Sequence, residues 1–178
     1  INTQQAQADT QSFLEHLTQI TDPEVVCPVC ELDMDLDLPF SHIPSAPYRM
    51  DIALTYRCNN DCTHCYNARP RSYAELDTAS WLRIIDQLWD LGIPHLVFTG
   101  GEPTLRKDLP QLVAYAEKKG QITGINTNGR KLADKTYLQS LLDAGLDHIQ
   151  ITLESSNEAI HDQMVNFPGA WQQTVAGI

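Results

Sequence analysis

The sequence has 178 residues, 42% hydrophobic and 20% charged, enough for one buried core. Twelve Lys and Arg stand against 23 Asp and Glu, a formal charge of -11, which argues against electrostatic capture of nucleic acid or of an anionic membrane. No apolar run approaches the roughly 18 residues of a membrane span, and no signal peptide is visible, so the expectation is a soluble, cytoplasmic chain with reduced thiols.

Residues 1–47 read as an extension. It is Gln-rich, then carries Cys27-Pro28-Val29-Cys30, the acidic stretch Glu31 to Asp37, and Pro39, Pro44 and Pro47. Ser12, Phe13, Leu14, Leu17 and Ile20 make one short amphipathic helix that needs packing from elsewhere. A single C-x2-C is half a metal site; metal ligation is the preferred reading, with a redox pair or two bystanders as alternatives. With Ile1 in place of Met, the expectation is a piece excised from a longer protein.

Residues 48–178 are regular. Strands are predicted at Asp51 to Tyr56, His95 to Phe98, Ile122 to Asn126 and His148 to Leu153. A helix near Thr78 to Leu91 has Trp81, Ile84, Ile85, Leu88 and Trp89 on one stripe and ends at Gly92 and Pro94. The next, about Asp108 to Lys119, carries Leu109, Leu112, Val113 and Ala116, with Lys118 and Lys119 at the negative dipole end and Gly120 as its cap. A third, about Asp134 to Ala144, has Leu138, Leu141 and Leu142 before Gly145. The junctions at Gly92 and Gly145 are two copies of one helix, glycine, strand pattern. The fold class is α/β with a parallel sheet, either a barrel or an open doubly wound sheet.

Every unusual motif falls just after a strand. Cys58 to Cys65 follows the first, Thr99 to Pro103 the second, Thr127-Asn128-Gly129 the third and Glu154 to Asn157 the fourth. Parallel α/β folds build their sites at that edge, so four motifs converge on one face. Cys58, Cys62 and Cys65 put three thiols on one loop, spaced x3 then x2. Such a loop suits an iron-sulfur cluster with one iron left open; by spacing alone a zinc knot completed by His64 competes.

The Cys58 to Cys65 loop together with Gly100-Gly101-Glu102-Pro103 resembles the radical S-adenosylmethionine (SAM) superfamily. Thr127-Asn128-Gly129, the strand Ile149 to Ser155, His161-Asp162 and Pro168-Gly169-Ala170-Trp171 are similar to that family's third and fourth units, and the match covers roughly residues 50 to 178. The resemblance implies a partial (β/α)6 barrel of which residues 48–178 are about the first four βα units, so the natural protein is expected to continue beyond Ile178. It implies that Cys58, Cys62 and Cys65 ligate a 4Fe-4S cluster whose fourth iron is chelated by SAM. Gly100 and Gly101 would bring backbone carbonyls near the SAM ammonium and Glu102 would add a carboxylate acceptor. His64 would lie by the adenine, and Thr152, Glu154 and Ser155 would meet the ribose. Asn126 and Asn128 share a face and either would approach SAM, although turn formation at Asn128-Gly129 explains Asn128 equally.

One departure stands out: Gln163, Met164, Val165 and Asn166 follow His161-Asp162 where related sequences carry an Arg near the SAM carboxylate. The helix ahead of Cys27 resembles the last helix of a leader-peptide-binding domain. The resemblance implies an oxidoreductase that generates a 5'-deoxyadenosyl radical, an electron donor of the flavodoxin or ferredoxin kind, and a peptide or small-molecule substrate. The rival from another class is a non-catalytic zinc- or cluster-binding module.

Overall fold

The computed structural model describes Gln11, residues 46–67 and residues 73–178. The chain divides into two compact units, Ile1–Pro44 and Ser45–Ile178, and the sheet lies in the second. The helix expected near residues 12–20 and the Cys27, Cys30 pair fall outside the described residues. No described helix is long and apolar enough to cross a membrane.

Four strands, β1 (Arg49–Thr55), β2 (His95–Gly100), β3 (Ile122–Thr127) and β4 (His148–Ile151), form one sheet in that order, every neighbouring pair parallel. The connecting helices are α1 (Thr78–Asp90), α2 (Leu109–Lys119) and α3 (Lys135–Asp143). Asp77 caps α1 by accepting from the Ser80 amide at 2.7 Å, and Asp134 caps α3 through the Thr136 and Tyr137 amides. Gly120 and Gly145, at φ +93° and +88°, end α2 and close the turn after α3 in the left-handed conformation that glycine adopts without strain.

Period 2 splits the strands into two faces. Ile52, Leu54, Leu96, Phe98 and Ile125 meet Trp81, Ile85, Leu109, Leu112, Val113, Ala116 and Leu141 of the helices in a single buried core. The helical stripes therefore pack as their spacing predicts, except at their margins, where Trp89 and Leu142 are 40% and 50% exposed. Strand β4 stops at Ile151 rather than Leu153; the Thr152 amide still reaches the Thr127 carbonyl, after which the chain leaves the sheet. Two further helices, α4 (Glu158–Val165) and α5 (Ala170–Gly177), were absent from the sequence expectation. Each is only eight residues long, and α4 buries a histidine, His161, where an apolar stripe would be sought.

The opposite face is polar. Pairing aligns Asp51, Val97, Gly124 and His148 in one row, and Asn126 and Gln150 in the next. His95 and His148 meet Nε2 to Nε2 at 2.7 Å. Gly124 permits this, because a Cβ there would overlap the His148 ring. Burial, then the neighbouring His148 and Arg49, push the His95 imidazole below its ordinary range, against a smaller pull from Asp51 and Asp147. The folded state therefore binds fewer protons here than the unfolded one. Its contribution is full above the ordinary histidine range, about pH 6.5, and fades as pH falls from there through the lowered native value. The thermal midpoint should drop more between pH 8 and pH 5.5 in the wild type than in His95→Gln; equal drops would remove this pair as the cause.

Candidate active site

The loop after β1 carries the three cysteines, all free thiols. Two hydrogen bonds shape it from inside: the Asn60 amide donates to Cys58 Sγ at 3.4 Å and the Cys65 amide to the Cys62 carbonyl at 3.2 Å. From outside, the Asp61 and Thr63 amides donate to the Val165 and Met164 carbonyls at 2.9 and 3.0 Å, tying the loop to the last turn of α4. Asn128 Nδ2 donates to Asn59 Oδ1 at 2.7 Å from the β3 exit. A loop without regular structure thus holds one shape because two separate segments, the last turn of α4 and the β3 exit, add to its own internal bonds.

Cys58, Cys62 and Cys65 line one cavity of about 370 Å³ with His64, Thr99, Gly100, Gly101, Asn126, Asn128, Gln150, Thr152 and Glu154. These come from the ends of all four strands. Burial first, then the charges of Cys58, Cys65 and Glu154, push the Cys62 thiol above its ordinary range. Three sulfurs from one loop around a shared cavity suit the cationic core of an iron-sulfur cluster. Among the described residues Asn126 Oδ1 is buried with no partner, an acceptor open to an N–H or O–H of a bound molecule. The donor set and this orphaned oxygen fit a cluster with a polar ligand beside it.

Two of the expected site residues lie off the cavity wall. Glu102 does not line the cavity: it is fully buried, its Oε1 accepting from the Thr104 amide and from the hydroxyls of Thr104 and Thr127 at 2.6–3.0 Å, its Oε2 from the Asn128 amide at 2.8 Å. With four donors already on its two oxygens it pins the β2 and β3 exits together rather than facing a ligand. Ser155 also stays off the cavity; its Oγ accepts from the Asn157 amide at 3.0 Å, a local turn that leads into α4.

Gly100 and Gly101 do line the cavity, but the neighbouring backbone is what excludes side chains there. A Cβ on Gly100 would overlap the Thr55 carbonyl and one on Gly101 the Arg57 carbonyl. Close approach allows the Gly101 and Glu102 amides to donate to those same carbonyls at 2.7 and 2.8 Å, coupling the glycine turn to the start of the cysteine loop. The Gly100 carbonyl accepts from Asn67 Nδ2 at 2.8 Å. Asn128 uses its side chain as a turn residue, Oδ1 accepting from the Arg130 amide at 3.1 Å, while still lining the cavity.

His64 and Glu154 meet at the cavity wall, Nε2 to Oε1 at 3.1 Å, joining the cysteine loop to the β4 exit. The Glu154 amide in turn donates to His161 Nδ1 at 3.2 Å. Thr152 lies on the same wall. Arg130 and the α4 brace escaped the sequence reading, which names Asn126 only through the face it shares with Asn128. The presence of Arg directly after Asn-Gly was the one local signal.

The family model of the radical SAM superfamily matches residues 52–178. The chain belongs to the radical SAM superfamily. Among radical SAM relatives it is 38% identical over 136 residues to the PqqA peptide cyclase of Gluconobacter oxydans (strain 621H), covering 75% of this chain and 38% of that protein. It is 39% identical over 127 residues to the Fe-coproporphyrin III synthase of Methanosarcina barkeri (strain Fusaro / DSM 804), covering 70% of this chain and 31% of the relative. The chain thus spans about a third of the length of these curated relatives. The radical SAM fold recurs in Streptococcus suis SuiB bound to S-adenosylmethionine, with a TM-score of 0.61 at 24% identity over 72% of this chain and 30% of SuiB. It recurs again in BtrN in complex with AdoMet and 2-DOIA, with a TM-score of 0.56 at 22% identity over 74% of this chain and 56% of BtrN. The four-stranded parallel sheet is therefore part of a radical SAM (β/α) barrel.

Proposed function

We propose that the protein cleaves SAM reductively at a 4Fe-4S cluster held by Cys58, Cys62 and Cys65, releasing a 5'-deoxyadenosyl radical that takes a hydrogen atom from an organic substrate. The observation that carries this reading is the convergence of three free thiols from one loop with all four strand exits on a single cavity. The cluster, when bound, would supply the single electron that breaks a carbon-sulfur bond of the sulfonium.

The chain's own residues have separable tasks. Three thiolates leave room for one non-protein chelate, which the amine and carboxylate of SAM suit. Asn126 Oδ1 offers its unused acceptor to a donor on SAM or substrate. His64, Thr152 and Glu154 present a ring, a hydroxyl and a carboxylate along the wall where a nucleoside would lie. Gln150 and Thr99 continue that wall with uncharged polar groups. The electron comes from a donor of the flavodoxin or ferredoxin kind, in a reducing cytoplasm where free thiols persist.

A peptide is the favoured substrate, supported by relatives named as PqqA peptide cyclase and by the likeness to SuiB in complex with its precursor peptide SuiA. A small-molecule biosynthetic substrate is the second reading, which the likeness to the Fe-coproporphyrin III synthase supports. The test is anoxic reconstitution of the full natural protein, reduction with SAM present, and chromatography for 5'-deoxyadenosine, with and without candidate peptides. Deoxyadenosine should form and fall to background in Cys62→Ala. One tightly bound zinc with no response to SAM would overturn the proposal in favour of a binding module.

A further inference from the structure

Behind the cysteine loop lies a buried cation that the proposed chemistry has not yet used. Arg130 follows Gly129 at the β3 exit and is 8% exposed. Its Nη1 donates to Asn60 Oδ1 at 2.7 Å and to the Asn59 carbonyl, the two residues directly after Cys58, and its Nε donates to Gln173 Oε1 at 2.7 Å. The guanidinium carbon sits 3.8 Å from the centre of the Phe167 ring. This stack comes from the segment after Asp162 that lacks an arginine of its own. All of these named partners are neutral.

Burying a guanidinium among neutral acceptors is costly unless negative charge acts on it from nearby. Burial indeed weakens its hold on its proton, opposed by the charges of Cys58, Glu102 and Asp162. Cys58 is the one of these on the loop that Arg130 grips. A four-iron core with three thiolates carries net negative charge, and gains one more on reduction. A fixed cation behind the loop stabilises the reduced form more than the oxidised one, so it raises the potential.

We propose that Arg130 is the positioning residue of the cysteine loop, gripping Asn59 and Asn60 so that Cys58 faces the cavity, and that its buried charge raises the reduction potential of the cluster held there. This rests on the radical SAM reading above. It adds a residue on β3's exit that touches neither SAM nor substrate.

The test uses the full natural protein, reconstituted anoxically as wild type, Arg130→Gln and Arg130→Lys, with iron and sulfide counted and the cluster potential read by an EPR-monitored redox titration. Arg130→Gln keeps donors but loses the charge. At a fixed applied potential its ratio of reduced to oxidised cluster should fall about tenfold, a 59 mV drop for a one-electron couple. Arg130→Lys keeps the charge but not the fork, so its potential should stay near wild type while its iron content falls. A glutamine variant that folds by circular dichroism yet loads no iron supports the grip, and the lysine variant then decides the charge. Full iron loading and wild-type potential in Arg130→Gln would overturn the proposal, as would an equal drop in Arg130→Lys. A wild type that binds zinc and no cluster sinks the radical SAM reading itself, a result distinct from either.

Discussion

Glu102→Ala is expected to destabilise the fold by about 4 kcal/mol, a large share of the stability of an ordinary domain. The carboxyl is fully buried and receives two backbone amides, Thr104 and Asn128, and two hydroxyls, Thr104 and Thr127. The hydroxyls can rotate to other acceptors after truncation. The two amides cannot. Leaving each unpaired costs about 1–3 kcal/mol, to which the emptied volume adds. Glu102→Gln separates these contributions: it preserves volume and one acceptor oxygen but sets an NH2 against a donor, at an expected cost of about 2 kcal/mol. Denaturant unfolding at constant m-value measures both. A glutamine variant as unstable as the alanine one would show that shape, rather than hydrogen bonding, sets the cost.

The second large effect is expected in cofactor loading. Gly100 has φ +133° and an added Cβ would overlap the Thr55 carbonyl, the same oxygen that accepts the Gly101 amide. Gly100→Ala must therefore displace the end of β1, where the register with β2 already shifts between Ala53 and Thr55. Cys58 lies three residues further on, and iron retained after anoxic reconstitution should fall at least about fivefold, since loop-ligand geometry governs cluster binding. Gly92→Ala is the control. It sits at φ +83° with nothing within 4 Å of an added Cβ, so it carries backbone strain alone, about 1 kcal/mol, and should leave iron content unchanged. Equal iron loss in both variants would mean that strain, rather than overlap with β1, is what matters.

The parts of this protein that were legible in its sequence are those encoded by local spacing. Helical stripes, the glycines closing α2 and α3, and the placement of motifs after strands all depend on residues within a turn or two of each other. The cysteine spacing belongs to the same class. What could not be read depends on distant partners. A carboxylate beside two glycines faces a ligand or the core according to where Thr127 and Asn128 arrive, 25 and 26 residues later. Arg130 likewise acquires its meaning only from Asn59 and Asn60, some 70 residues earlier. The margin of a helical stripe is also ambiguous: Trp89 and Leu142 have the right spacing to be buried, yet both stay exposed at the edge of the core. The short helices α4 and α5 were missed because eight residues give period 3.6 little room to show itself.

The bracing of the cysteine loop by α4 also sets a clock for biosynthesis. Thr63 and the Met164 carbonyl that receives it are 101 residues apart along the chain. At ribosomal speeds of about 5–20 residues per second, the thiols precede their brace by roughly 5–20 s. During that interval the three cysteines emerge on an unshaped segment, open to oxidants and to adventitious metals. On the proposed function, cluster insertion is expected to follow synthesis of the fourth βα unit, and the yield of loaded protein should respond to how well the cell shields nascent thiols during those seconds.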